Sequence, residues 1–279
     1  MAEIDTGEIS LFYEQFGSGP DLLLIMGLGA PGNMWEPVLP YLTPHFRVTT
    51  FDNRGVGRSG CPEGPYTMAQ MARDAIALLD ALGIERTHVV GISMGGMIAQ
   101  HLALEAPERV ERLVLAATSA GGPQAVRPEP WVIELLTRPR AGKSSLELIR
   151  EAAPILFAPG FIERHPEVLT EIARRNDERP TAPEGVQNQI LAIVGHDVAD
   201  RLREITAPTL VVTGDADVLV PPQNSAHLAA AIPGAQQLVL PGVAHGLLHE
   251  ATERFAEAIR SFCLEGQLAE PSLASATEG

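Results

Sequence analysis

Gly91-Ile92-Ser93-Met94-Gly95-Gly96 is the stretch whose reading decides the fold of this chain. An apolar, β-branched run, Thr87-His88-Val89-Val90, leads into it. A run of mostly small and apolar residues, Met97-Ile98-Ala99-Gln100-His101-Leu102-Ala103, leads out. The order is strand, sharp turn, helix, built around a G-x-S-x-G pattern. A serine at the tip of so sharp a turn is held in a strained backbone conformation, with its hydroxyl directed off the end of the sheet. Gly91 and Gly95 lack side chains where strand and helix pass within van der Waals reach. The Met94 N–H stands at a helix N-terminus, where developing negative charge is stabilised. As a bare string the pattern is common, and its flanks give it meaning.

Moving outward, strand-like and helix-like segments alternate. Glu8 to Phe16 alternates like a half-buried strand, and Asp21 to Met26 is a continuous apolar one. Trp35 to Leu42 predicts a short helix and Arg47 to Phe51 a strand. Thr67 to Leu82 predicts a helix with Thr67 as N-cap and Gly83 as its stop. After Thr87–Ile92 come a helix over 95–106 and a strand over Leu113–Ala117. Such alternation signals an α/β protein with a parallel sheet covered on both faces. From 121 to 205 the rhythm breaks into helical patches punctuated by prolines, which predicts an inserted helical cap. The sheet resumes at Thr209–Thr213, followed by a helix near Asn224–Ala231, a strand at Gln236–Leu240 and a last helix at Thr252–Cys263. The expected division is a core of 1–120 and 206–265, a cap of 121–205 and a loose tail of 266–279.

Bulk properties bound the function. The 279 residues suit one large domain with an insertion, and 45% hydrophobic content supplies its core. A formal charge of −15 argues against nucleic acid as a partner. Cys61 and Cys263 fit no metal or redox spacing and read as free thiols of a reducing cytosol. The acidic start, Met1-Ala2-Glu3-Ile4-Asp5, has no basic or apolar signal region, and Leu22–Met26 is too short to span a membrane. The expectation is a cytoplasmic protein.

A serine hydroxyl becomes nucleophilic when a base takes its proton and an acid orients that base. In strand–turn–helix sites of this kind the chain order is Ser, then Asp or Glu, then His. Of the eight histidines, His227, His245 and His249 follow the acidic loop Gly214-Asp215-Ala216-Asp217. His227 falls within a helix. His245 lies in Pro241-Gly242-Val243-Ala244-His245-Gly246, a loop straight after a strand, and His249 is one helical turn further on. His245 is the expected base. Asp215 and Asp217 compete as the acid. Asp215 suits the turn itself, whereas Asp217, deeper in the loop, is better placed to reach His245. A second oxyanion donor is expected from Gly27-Leu28-Gly29-Ala30, after the Leu22–Met26 strand, with Leu28 as donor beside Met94.

These residues resemble the α/β-hydrolase superfamily over essentially the whole chain except the tail. The loop Asp52-Asn53-Arg54-Gly55-Val56-Gly57-Arg58-Ser59 looks like the family's D-x-R-G-x-G-x-S loop, in which Asp52 and Arg54 hold loops together. Gly91–Thr118 resembles 3-oxoadipate enol-lactonases and related small esterases. Many relatives carry His-Gly where this chain has Met26-Gly27, so the backbone donor survives without the imidazole. The resemblance implies a mostly parallel eight-stranded sheet and two-step acyl transfer through Ser93, His245 and Asp217, needing no cofactor and no metal.

Met34, Trp131 and Leu247 are the expected substrate-binding residues, with Trp35, Met94 and Leu135 as further pocket walls that ordinary core packing would also explain. An apolar pocket under a cap suits a small neutral ester. An enol-lactonase would need a cation for its substrate's carboxylate, for which Arg127, Arg138 and Arg140 are available. A C–C bond hydrolase or cofactor-free perhydrolase would use the same triad, and a ligand-binding receptor would carry it idle. The partners expected are a small-molecule ester and a second copy of the chain.

Overall fold

The computed structural model describes residues 2–138 and 142–268. Its centre is one eight-stranded sheet. The strands are β1 (Ala2–Asp5), β2 (Ser10–Phe16), β3 (Asp21–Ile25), β4 (Arg47–Phe51), β5 (Thr87–Ile92), β6 (Val110–Ala116), β7 (Thr209–Gly214) and β8 (Gln236–Leu240). They lie in the order β1-β2-β4-β3-β5-β6-β7-β8. β2 pairs antiparallel with β1 and β4, and every later pairing is parallel.

The apolar run of β3 suits this arrangement. Leu22 and Leu24 face one buried cluster and Leu23 and Ile25 the other, because both faces of the sheet are covered. The covering helices in chain order are α1 (Leu39–Leu42), α2 (Met68–Ala81), α3 (Met94–Glu105), α4 (Pro130–Leu136), α5 (Ser145–Leu156), α6 (Phe161–Arg164), α7 (Glu167–Glu178), α8 (Pro183–Val194), α9 (Gln223–Ala231), α10 (Leu247–Glu250) and α11 (Thr252–Glu265). Thr67 caps α2 as its sequence predicts, accepting a hydrogen bond from the Gln70 N–H at 3.1 Å. Between Ala116 and Thr209 the described residues form helices α4 to α8, a 3₁₀ turn at Ala199–Glu204 and one isolated bridge, Gly121 to Asp197. Arg140 and most of the tail lie outside the described residues.

Two elements differ from the sequence expectation. The helix over Trp35–Leu42 is split into a 3₁₀ turn, Gly32–Trp35, and the single turn of α1. Pro37 lacks the N–H needed to continue a helix, and Pro40 is tolerated only in the first turn of α1. β1 carries no strand signal in its sequence. It is a mostly exposed edge strand with acidic Glu3 and Asp5, and only its pairing with β2 defines it.

Candidate active site

Because β5, β7 and β8 run parallel, the segments after them emerge at the same edge of the sheet. Ser93 follows β5, Asp217 follows β7 and His245 follows β8.

Ser93 has φ 56° and ψ −123°, a conformation that costs a non-glycine residue roughly 1–3 kcal/mol. Backbone and side-chain hydrogen bonds hold it there. Its N–H donates to the Ala116 carbonyl at 2.8 Å, and its own carbonyl accepts from Gly96 N–H at 2.9 Å and Thr118 Oγ1 at 2.8 Å. The glycines are required by contact. A Cβ on Gly91 would stand 2.3 Å from the Gly95 carbonyl oxygen, and one on Gly95 would stand 2.1 Å from that of Ile25. The loop after β3 passes directly beside Ser93, since a Cβ on Gly27 would lie 3.7 Å from Ser93 Oγ. Ala30 N–H to the Gly27 carbonyl (3.4 Å) closes that loop into a turn, with Gly29 at φ +63° where a type II turn calls for glycine. Leu28 is the residue between them. Met94 opens α3 and is buried.

Asp217 and His245 meet. Asp217 Oδ2 lies 2.8 Å from His245 Nδ1, and Oδ1 accepts from the N–H groups of Leu219 (2.9 Å) and Val220 (2.8 Å). Asp217 is only 3% exposed, so the loop after β7 wraps its carboxylate completely. A carboxylate takes a proton donor at Nδ1, which leaves the lone pair of His245 on Nε2. Asp215 serves the turn: it accepts Gly242 N–H at 2.7 Å. His227 is exposed. His249 is half-buried, and its buried Nε2 has no hydrogen-bond partner among the described residues. Burial, with the nearby charge of Arg175, pushes its imidazole down to about 4.

Met34 and Leu247 fall in one buried apolar cluster, whereas Trp131 stands 47% exposed on α4. Trp35 is fully buried. Arg127 and Arg138 are exposed, and among the described residues Arg138 pairs with Glu134. Arg54 is sequestered in a buried pair, with Nε and Nη2 at 2.8 and 2.6 Å from the Asp74 carboxylate. Asp52 accepts from Gly32 N–H (2.7 Å), Arg58 N–H (3.0 Å) and Arg179 Nη1 (3.4 Å), and so ties loops as the sequence pattern implies. Burial raises its carboxyl above the usual carboxylate range, against the pull of those hydrogen bonds.

Several supports carry no sequence signal. Asn53 Nδ2 donates to the Met26 carbonyl at 2.9 Å, a side-chain tie at the start of the loop after β3. Glu250 accepts from Ala244 N–H (2.9 Å) and Ala158 N–H (2.7 Å), joining the His245 loop to the helical segment. Arg175, buried on α7, bonds Glu36 at 2.8 Å and Glu171 at 3.4 Å.

Residues 20–252 match the family described as alpha/beta hydrolase fold, and the chain belongs to that family. It is 32% identical over 259 residues, 93% of this chain and 97% of the relative, to a protein of Azorhizobium caulinodans named "Putative carbamate hydrolase RutD". The enol-lactonase of Burkholderia xenovorans LB400 superposes with a TM-score of 0.82 at 32% identity, covering 94% of this chain and 99% of that one. A thermophilic esterase from Thermogutta terrifontis superposes at 0.78, also 32% identical, with 91% and 93% covered. The relatives are hydrolases. Among the described residues no helix is long and apolar enough to cross a membrane.

Proposed function

We propose that this protein hydrolyses carboxylic esters of small, neutral, mainly apolar acids by acyl transfer through Ser93. The observation that carries this reading is the bond between Asp217 Oδ2 and His245 Nδ1, at the sheet edge that also bears the strained Ser93 turn. His245 Nε2 takes the proton from Ser93 Oγ as that oxygen attacks the ester carbonyl. The Leu28 and Met94 N–H groups receive the oxyanion. His245 returns the proton to the leaving alcohol, then activates the water that cleaves the acyl-enzyme and frees Ser93. Asp217 holds the imidazole tautomer and stabilises its charged form. The helical segment 121–205 serves as a cap over this edge, with Met34, Leu247 and Trp131 contacting the acyl chain.

The state of the described arginines supports a neutral substrate. A buried substrate carboxylate needs a paired cation. Arg54 is already committed to Asp74, Arg127 and Arg138 are exposed, and the buried Arg175 is flanked by Glu36 and Glu171. Lactones and carbamates present the same carbonyl to Ser93 and form the competing substrate classes, as the names of the relatives suggest. The test is a panel of p-nitrophenyl esters run beside a carboxylated enol-lactone and a carbamate. The expected kcat/KM is highest for p-nitrophenyl butyrate, and Ser93→Ala is expected to lower kcat about 10⁴- to 10⁶-fold. A preference for the lactone or carbamate replaces the substrate assignment, and full activity in Ser93→Ala ends the mechanism.

A further inference from the structure

A residue of the helical segment grips the oxyanion loop. Gln189, on α8, is completely buried. Its Oε1 accepts Gly29 N–H at 2.8 Å, and its Nε2 donates to the Arg54 carbonyl at 2.9 Å. Thr181, just before α8, donates its hydroxyl to the Gly29 carbonyl at 3.1 Å and accepts Gly57 N–H at 3.3 Å. Both backbone groups of Gly29 are therefore held by side chains from about 150 residues or more further along the chain. At the other end of the loop, Asn53 Nδ2 holds the Met26 carbonyl. Leu28 stands between these two anchors.

The seam around Gln189 leaves α8 no room to shift. A Cβ on Gly185 would lie 2.0 Å from the Gly55 carbonyl oxygen, and one on Gly29 would lie 3.2 Å from Val186 Cγ2. Gln189 is suited to the position because it supplies one acceptor and one donor at a fixed spacing. Replacing either half leaves a part-buried Gly29 N–H or a buried Arg54 carbonyl unpaired.

We infer that Gln189 is a positioning residue for the hydrolysis: its amide sets the Gly27–Ala30 turn so that the Leu28 N–H meets the oxyanion. The helical segment then contributes to the rate as well as to substrate choice. This inference rests on the acyl-transfer reading above.

Gln189→Met keeps the length and loses both hydrogen bonds. Gln189→Glu keeps the acceptor for Gly29 and, when ionised, loses the donor to Arg54. Protonation restores an O–H at that place. With p-nitrophenyl butyrate, kcat is expected to fall about 10- to 100-fold in Gln189→Met with KM changed less than about threefold, since a misplaced donor acts on the transition state. A boronate that forms a tetrahedral adduct on Ser93 is expected to bind more weakly by the same factor as kcat falls. In Gln189→Glu the ratio of kcat to that of wild type is expected to rise as pH falls, a profile that a packing defect does not produce. Circular dichroism and thermal melting restrict the comparison to folded protein.

Wild-type kcat in folded Gln189→Met overturns the inference, as does a loss that moves KM alone or a Gln189→Glu ratio flat with pH. If either variant does not fold, the other decides. Ser93→Ala separates the two claims. Loss of activity there with unchanged Gln189 variants removes only the role of Gln189, whereas retained activity removes the acyl-transfer reading itself.

Discussion

Asp217 and Asp52 are both buried carboxylates that come after sheet strands, and each accepts two backbone N–H groups. They differ in the third partner. Asp217 turns its free oxygen to His245 Nδ1 at 2.8 Å. Asp52 turns toward Arg179, which also pairs with Glu14. The same carboxylate, with similar burial and similar backbone bonds, orients a titratable ring in one place and welds three chain segments in the other. The partner, rather than the burial, separates the group proposed to act in the reaction from the one that ties loops together. The aspartates at 52 and 217 are thus expected to fail in different ways.

The largest effect expected is in Asp217→Asn. An amide that donates toward Nδ1 reverses the tautomer, and kcat is expected to drop about 10³- to 10⁴-fold. A loss below tenfold breaks the comparison at its first term. Asp52→Asn comes next and is read as stability. One oxygen is exchanged for a donor facing the N–H groups of Gly32 and Arg58, and Arg179 loses a counter-charge. The expected cost is about 2–3 kcal/mol, a fall in Tm of roughly 5–10 °C for a chain of this size. Its kcat at a temperature where it is folded is expected within about tenfold of wild type. A kcat loss as deep as that of Asp217→Asn would mean that Asp52 shapes the reaction directly. Smallest is Asp215→Asn. Its carboxylate is exposed and among the described residues accepts Gly242 N–H alone, so the expected change is below about 0.5 kcal/mol with activity retained. If Asp215→Asn abolishes turnover while Asp217→Asn does not, the two loop aspartates exchange roles.

The same contrast explains which residues were legible in the sequence. Ser93, Asp217, His245 and Leu28 each come after a short apolar strand, and parallel strands deliver their succeeding loops to one edge. Local pattern therefore suffices to place these candidates at one sheet edge. Thr67 as a helix cap was legible for the same reason, its partner being three residues away. Gln189 was not, because its bond to Gly29 spans 160 positions, and an isolated glutamine in a helix has no signature. Glu250 was hidden likewise, its bond to Ala158 spanning 92. Trp131 illustrates the limit on the other side. Its large apolar ring suggests a pocket wall and it stands 47% exposed on α4, and what that exposed face meets is set by packing rather than by composition. The edge strand β1 was invisible because its pairing, rather than its residues, makes it a strand.

The acyl-enzyme on Ser93 is the central claim, and covalent labelling tests it most directly. Treatment of active protein with a fluorophosphonate, then digestion and mass spectrometry, is predicted to yield one adduct, on the peptide that contains Ser93, together with complete loss of ester hydrolysis. An adduct on any other residue, or unlabelled protein that still hydrolyses p-nitrophenyl butyrate, would contradict it.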